Sequence, residues 1–186
     1  MLVVAGPGGS GKTSTLHACL RQLGPDLDHV VLMGRLRSPE SVTMAAQAAL
    51  RGHLVLTAMA TSDGAMTLGR LVDMGLSPEL VTSSVLAVLS QRLVRRLCSE
   101  CRVPYSPSGH EQAELGLDST ATIFHARDGG CAACRGLGYR GRVGIFELLC
   151  MNDELRRRTM REDGALKVIA GIASVEEVVT MTTRGE

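Results

Sequence analysis

The chain has 186 residues, enough for one domain with an appendage or two small ones. Hydrophobic residues make up 45% and aromatic ones only 2%, so a core must be packed from Leu, Val, Ile, Met and Ala. A formal net charge of +1 excludes a bulk pull toward nucleic acid or membrane; no apolar run is long enough to span a bilayer, and the N-terminus lacks the basic start of a signal peptide, so a cytosolic chain is expected, peripheral at most at a membrane. In chain order the pattern alternates between strands and helices. Leu2 to Ala5 reads as a buried strand, a glycine-rich turn follows, and Ser14 to Leu23 reads as a helix. Val30 to Met33 is a second buried strand. Ser38-Pro39-Glu40 opens a helix, with Ser38 as N-cap and Pro39 at the first helical position, running to Gly52. His53 to Thr57 is a third strand, and Ala65 to Met74 a helix stopped by Gly75. Ser77-Pro78-Glu79 predicts a long helix through Val81, Val85, Leu86, Leu89 and Leu93, with Arg92, Arg95 and Arg96 on its last turns. Val143 to Leu149 reads as a strand, Asp153 to Met160 as a helix, and Ser174-Val175-Glu176-Glu177 as a capping box for a last helix.

The turn after the first strand, Gly6-Pro7-Gly8-Gly9-Ser10-Gly11-Lys12-Thr13, has the spacing G-x-x-x-x-G-K-T of a phosphate-binding loop. Glycines let successive backbone N–H groups converge on one anionic point, and the next helix aims its positive end at the same place. Residues expected to hold ATP or ADP are Gly6, Gly8, Gly9, Ser10, Gly11, Lys12, Thr13 and Ser14. Lys12 would reach the β- and γ-phosphates, and Thr13 would ligate Mg²⁺ through the nucleotide. The competing reading is a glycine turn with an incidental lysine. Against it stand the strand before, the helix after and the scarcity of lysine: Lys12 and Lys167 occur beside eighteen arginines.

Four of six cysteines form two pairs, Cys98-x-x-Cys101 and Cys131-x-x-Cys134, the ligand spacing of a structural Cys₄ zinc site. Disulfides or free core thiols are the alternatives, and a reducing cytosol disfavours the first. His110 and His125 lie between the knuckles and are taken as surface residues, because four thiolates already complete a tetrahedron. Cys19 and Cys150 are expected as small core residues. The Arg156-Arg157-Arg158 run reads as a solvated face, so no nucleic-acid partner is expected.

Several longer segments carry a resemblance. Residues 48–56, 70–75 and 91–98, the run Gly138-Tyr139-Arg140-Gly141-Arg142-Val143-Gly144-Ile145-Phe146-Glu147-Leu148-Leu149 and the closing residues 171–178 resemble the GspE/PulE-type secretion ATPases of type II secretion and type IV pilus assembly. The resemblance is to their C-terminal ATPase half. It implies an α/β fold: a RecA-like P-loop core over residues 1–97, a tetracysteine zinc-binding subdomain over 98–141, and a C-terminal strand and helices over 142–186. It also implies hexameric rings, formed with itself or with paralogues, that act with inner-membrane secretion or pilus platform proteins.

The departures bear on chemistry. Met1 directly precedes the P-loop strand, so the family's N-terminal domain is expected to be absent. Only sixteen residues separate Thr13 from Val30, so the family's aspartate-box strand is missing and Val30–Met33 becomes an exposed edge. Arg35 and Ser38 stand where the family has a catalytic glutamate and an aspartate, and Met59-Ala60-Thr61 replaces its histidine box. Asp28 and Glu40 are the nearest acidic residues, and neither holds the catalytic position. An arginine cannot serve as a general base, since its pKa stays above about 12. Near Mg²⁺ it repels the ion, and it can instead bind a γ-phosphate. Loss of a general base alone costs about 10²–10⁴ in rate. Two readings follow: an ATP-binding subunit impaired in hydrolysis, or a non-catalytic, zinc-stabilised interaction module that docks to the secretion machinery.

Overall fold

The computed structural model describes residues 1–24, 27–151 and 157–183, with the side chains of 157–158 outside the description. The chain divides into two compact units, Met1–Gln91 with Glu147–Arg158, and Arg92–Phe146 with Thr159–Glu186.

The first unit is an α/β layer structure. In chain order it holds β1 (Leu2–Ala5), α1 (Lys12–Gln22), β2 (Val30–Arg35), α2 (Pro39–Leu50), β3 (Leu54–Met59), α3 (Gly64–Asp73), α4 (Pro78–Ser84) and the start of β4 (Ala87–Leu97). Strand order is β2-β3-β1-β4, continued by β7 (Tyr139–Cys150) and β8 (Arg157–Arg158), whose unit-one residues return to this sheet. The first four strands pair in parallel, with Val4 opposite Ala58 on one side and Leu89 on the other. At the far end of the sheet β7 and β8 pair antiparallel. Alternation along β1 explains why the sheet is covered on both faces. Val3 and Ala5 join Val42, Ala45, Leu71 and Val85 from the helices of one face. Val4 points the other way, onto Leu56 and Leu16 of α1. Strand β2 is the sheet edge, and Leu32 on it is exposed.

One expected helix is a strand. The helix predicted to run past Val85 ends at Ser84, and residues 87–97 form β4. Spacing of Val81, Val85, Leu89 and Leu93 fits a helical period. Yet Val88, Ser90 and Val94, two to four residues apart, are all fully buried, which is the strand period. A central place beside β1 decides between the two. Arg92, Arg95 and Arg96 therefore lie on a strand, not on the last turns of a helix. The helix expected over 153–160 falls partly on residues 152–156, outside the described residues. Helix α6 begins instead at Met160, where Thr159 accepts from the Glu162 N–H and Glu162 returns a carboxylate to the Thr159 N–H.

The second unit contains β5 (Val103–Tyr105), α5 (Gly109–Leu115), β6 (Ile123–His125), a single 3₁₀ turn at Ala132–Cys134, α6 (Met160–Ile169) and α7 (Val175–Thr182), with the outer parts of β4 and β7. Strands β5 and β6 form a small antiparallel pair. The core joins Val94, Ile123, Ile145, Val168 and Val178, all fully buried. Ser174 caps α7 as expected, accepting from the Glu177 N–H. The Glu177 carboxylate turns away from that cap. It accepts from the Arg95 backbone N–H at 2.8 Å and pairs with the Arg95 guanidinium at 2.7 Å, while that guanidinium lies over the Tyr139 ring.

Candidate nucleotide site and cysteine cluster

Residues 6–11 form the loop between β1 and α1 that the sequence pattern calls for. Gly9 and Gly11 have φ of 74° and 89°, a region L side chains rarely enter. Gly6 is required for a second reason: a Cβ there would lie 2.5 Å from the Gln91 carbonyl and 2.5 Å from Ser10 Oγ. Helix α1 also differs from its neighbours at its N-terminus. The other described α-helices have a Ser, Thr or Asp side chain accepting at the cap: Ser38, Asp63, Ser77, Ser108, Thr159 and Ser174. Helix α1 starts at Gly11 with no side-chain cap and no acidic residue in its first turn. Its first N–H groups and positive dipole end are thus left to an outside anion.

Lys12 is buried, with its ammonium donating to the carbonyls of Gly6 at 2.7 Å and Pro7 at 2.6 Å. Burial first, and the Arg35 charge second, hold its pKa below the ordinary value. Thr13 and Ser14 are exposed on the first turn of α1. Beside this loop lies a cavity of about 310 Å³, lined by Lys12 and Thr13 from α1 and by Leu32, Arg35 and Arg37 from β2 and the segment after it. Arg35 reaches this place because β2 runs to its end beside β3, where Arg35 pairs with Ala58 after a break in register. Among the described residues no carboxylate lines the cavity. Glu40 instead lies in the first turn of α2, held well below the usual carboxylate pKa by the Ser38 hydroxyl. Mg²⁺ needs hard oxygen ligands and a nearby anion. Among the described residues Thr13 is the one hydroxyl in the lining, and the charged side chains beside it are Lys12, Arg35 and Arg37, so the residues present do not fit the ion.

Gln91 is a site residue that sequence reasoning missed. Its side chain is fully buried on β4, next to the P-loop in space and 81 residues from it in sequence. The Nε2 group donates to the Ser10 carbonyl, and Oε1 accepts from the Thr15 hydroxyl at 2.6 Å. It thus ties the end of the loop to the first turn of α1. The one local sign was Ser90-Gln91, a polar pair inside an apolar run.

The second unit brings the four paired cysteines together, all Sγ atoms within 4.8 Å of one another. Cys98–Cys131, Cys101–Cys134 and Cys131–Cys134 are each separated by 3.8 Å. A disulfide requires about 2.05 Å, whereas a tetrahedron with Zn–S bonds of about 2.3 Å has edges of about 3.8 Å. The sulfurs therefore fit a tetrahedral ion. Hydrogen bonds from the N–H groups of Cys131 and Gly138 pull the Cys134 thiol down to about 6, while burial pushes Cys101 up to about 12, so an ion is needed to hold all four as thiolates. Gly130 permits the close turn: a Cβ there would sit 2.7 Å from Cys134 Sγ and 2.5 Å from the Gly136 backbone. His110 and His125 are exposed and outside the cluster. Cys19, half-buried on α1, packs against the core cluster of Val4, Leu16 and Leu56 as expected, whereas Cys150, half-buried on β7, is in none of the described core clusters.

The family model described as "Type II/IV secretion system protein" matches residues 24–185. The type II secretion system protein E of Dickeya dadantii is 36% identical over 242 aligned residues, covering 98% of this chain and 48% of that protein. The type IV pilus assembly ATPase PilB of Thermus thermophilus is 39% identical over 190 residues, covering 90% of this chain and 21% of that protein. The chain thus spans about half the length of the Dickeya relative. That alignment is longer than the 186 residues of this chain, so the relative carries internal stretches that this chain lacks. The structure of the Legionella pneumophila ATPase DotB superposes with a TM-score of 0.66 at 17% identity, over 97% of this chain and 59% of that one. That likeness shows the fold, an α/β RecA-like core. No described helix is long and apolar enough to cross a membrane. With a family match reaching from the end of α1 almost to the C-terminus, and relatives that align across nine-tenths or more of its length, this chain belongs to the type II/IV secretion system protein family.

Proposed function

We propose that this chain is a nucleotide-binding, hydrolysis-impaired subunit of a secretion or pilus-assembly machine, with its second unit held by a structural zinc ion. One observation carries the reading. The cavity beside the glycine loop has Lys12 and Thr13 in its lining and, among the described residues, no carboxylate. Lys12 and the uncapped start of α1 supply binding, and Gln91 supports the loop. Hydrolysis needs a group that orients and activates water, and Arg35 stands in the lining where such a group would serve. Loss of that base accounts for about 10²–10⁴ in rate. The aligned length of the Dickeya relative supports a missing stretch inside the domain, and the family match beginning directly after α1 is compatible with its lying before β2. As partners we propose inner-membrane platform proteins and a ring of like subunits, identical or paralogous. In such a ring the zinc-stabilised unit serves docking whether or not nucleotide turns over. Zinc would be held by Cys98, Cys101, Cys131 and Cys134, and its contribution there is structural.

A phosphate-release assay on zinc-loaded protein tests the reading together with ATP and ADP binding by calorimetry. Expected are measurable binding, its loss in Lys12→Ala, and no turnover above background. Turnover near about 1 s⁻¹ or faster, abolished by Lys12→Ala, would show a working catalytic group and refute the impairment. Absence of any nucleotide binding leaves only the zinc-stabilised docking module.

A further inference from the structure

The cationic cavity points to a change in what form of nucleotide the site takes. We propose that it binds the nucleoside triphosphate without a divalent metal ion, the Arg35 guanidinium taking the place beside the phosphates that Mg²⁺ would otherwise occupy. This rests on the nucleotide-binding reading above. In P-loop proteins the metal ion is held by the P-loop hydroxyl and by a carboxylate on a neighbouring strand, and it neutralises charge on the β- and γ-phosphates. Here the hydroxyl is present as Thr13. The neighbouring strand, β2, offers arginine.

Among the described residues, every Lys, Arg, Asp or Glu in the lining is cationic: Lys12, Arg35 and Arg37. A triphosphate entering alone meets complementary charge from these three side chains, the rest of the lining being His17, Thr13, Gly34 and apolar residues. The same triphosphate carrying Mg²⁺ brings two positive charges against a guanidinium, with no protein anion to receive them. Arg35 is suited to the task because its planar fork can donate two parallel hydrogen bonds to phosphate oxygens. Like charge already adds to the strain on Lys12, whose proton affinity is lowered by burial first and by the Arg35 charge second. An anion between them relieves that repulsion, and a second cation adds to it. The arrangement also separates binding from chemistry. A metal-free triphosphate held by three cations lacks both the ion and the base needed to cleave it.

Calorimetric titration with ATP in excess EDTA and in excess MgCl₂ tests the proposal. The wild-type chain should bind ATP at least as tightly in EDTA as in Mg²⁺. Arg35→Glu should invert the order, weakening binding in EDTA and favouring the Mg²⁺ arm by about tenfold, equivalent to roughly 1.4 kcal/mol. Arg35→Gln should weaken binding in EDTA without gaining dependence on Mg²⁺. Because Arg35 is exposed, these changes leave the fold intact, which circular dichroism checks. Wild-type binding about tenfold tighter in Mg²⁺ than in EDTA would overturn the proposal, as would an Arg35→Gln chain with unchanged affinity in EDTA. No binding in either arm would instead sink the nucleotide reading itself.

Discussion

Removing one cysteine, or the metal it is built to hold, should unfold the knuckle region of the second unit while sparing the first. Cys134 is the informative position. Its sulfur lies 3.8 Å from those of Cys101 and Cys131 and accepts from the N–H groups of Cys131 at 3.1 Å and Gly138 at 3.2 Å. Cys134→Ser replaces a soft thiolate by a hydroxyl that ligates zinc poorly, and leaves three sulfurs for a four-coordinate ion. Structural zinc contributes about 10–16 kcal/mol of binding energy to folding. A whole domain is stable by only about 5–15 kcal/mol, so the loss exceeds any reserve in the segment. The first unit depends on none of this, since its core is the aliphatic cluster around Val3, Val42, Val55 and Leu71.

Metal analysis combined with hydrogen exchange reads both parts. Freshly purified protein should carry about one zinc per chain, and Cys134→Ser close to none. After chelation, protection should vanish at the amides of Cys98 and Gly138, which bond to the Gly138 carbonyl and Cys134 Sγ. Protection in β1 and β3 should remain. Two results would refute the reasoning: protein isolated without chelator that holds far less than one zinc, or chelation that leaves the Cys98 and Gly138 amides protected.

Two further changes test the packing that supports these sites. Gln91→Leu keeps volume but strands the Ser10 carbonyl and the Thr15 hydroxyl, so denaturant unfolding of the first unit should show a loss of about 1–3 kcal/mol, with weaker ATP binding; unchanged stability would show that the clamp is unimportant. Gly164→Ala in α6 sets a helix-propensity gain of about 1 kcal/mol against a Cβ that would run into the fully buried Val178 of α7, an overpacking cost of about 1–3 kcal/mol. A net loss is expected, relieved when Val178→Ala is added, and a stabilised single variant would contradict the contact.

The features legible in the sequence were those made by near neighbours in the chain. The strand, glycine loop and helix of residues 2–22 announce themselves because one turn and one helix start do the work. Caps at Ser38, Ser77 and Ser174 were readable for the same reason. The cysteine pairs were readable because a tetrahedron fixes their local spacing, although their meeting across 33 residues is a tertiary fact. What stayed hidden depends on distant partners. Residues 87–97 satisfy both a helical and a strand period, and only pairing with β1 selects the strand. Gln91 looks like a misplaced polar residue until the P-loop lies against it. Glu147 is similar: buried in β7, it accepts from the Gly64 N–H at 3.0 Å, at the start of α3 and 83 residues away.

On the function proposed above, the topology would let phosphate binding persist while hydrolysis is lost. Strand β1, which launches the P-loop, is flanked by β3 on one side and β4 on the other, each paired over all four of its residues. The loop then takes its support from Gln91 on β4 and its lysine from its own helix. None of these parts depends on anything outside β2. On the same proposal, the groups that would act on a nucleotide belong to the β2 side, where this chain carries Arg35 and where the described sheet ends. A change confined to that edge can therefore remove a catalytic carboxylate or a neighbouring strand without loosening the loop. The same separation gives Arg35 its consequence. It lines the same cavity as Lys12 and Thr13, so under the proposed reading its positive charge would set which charge state of the ligand fits.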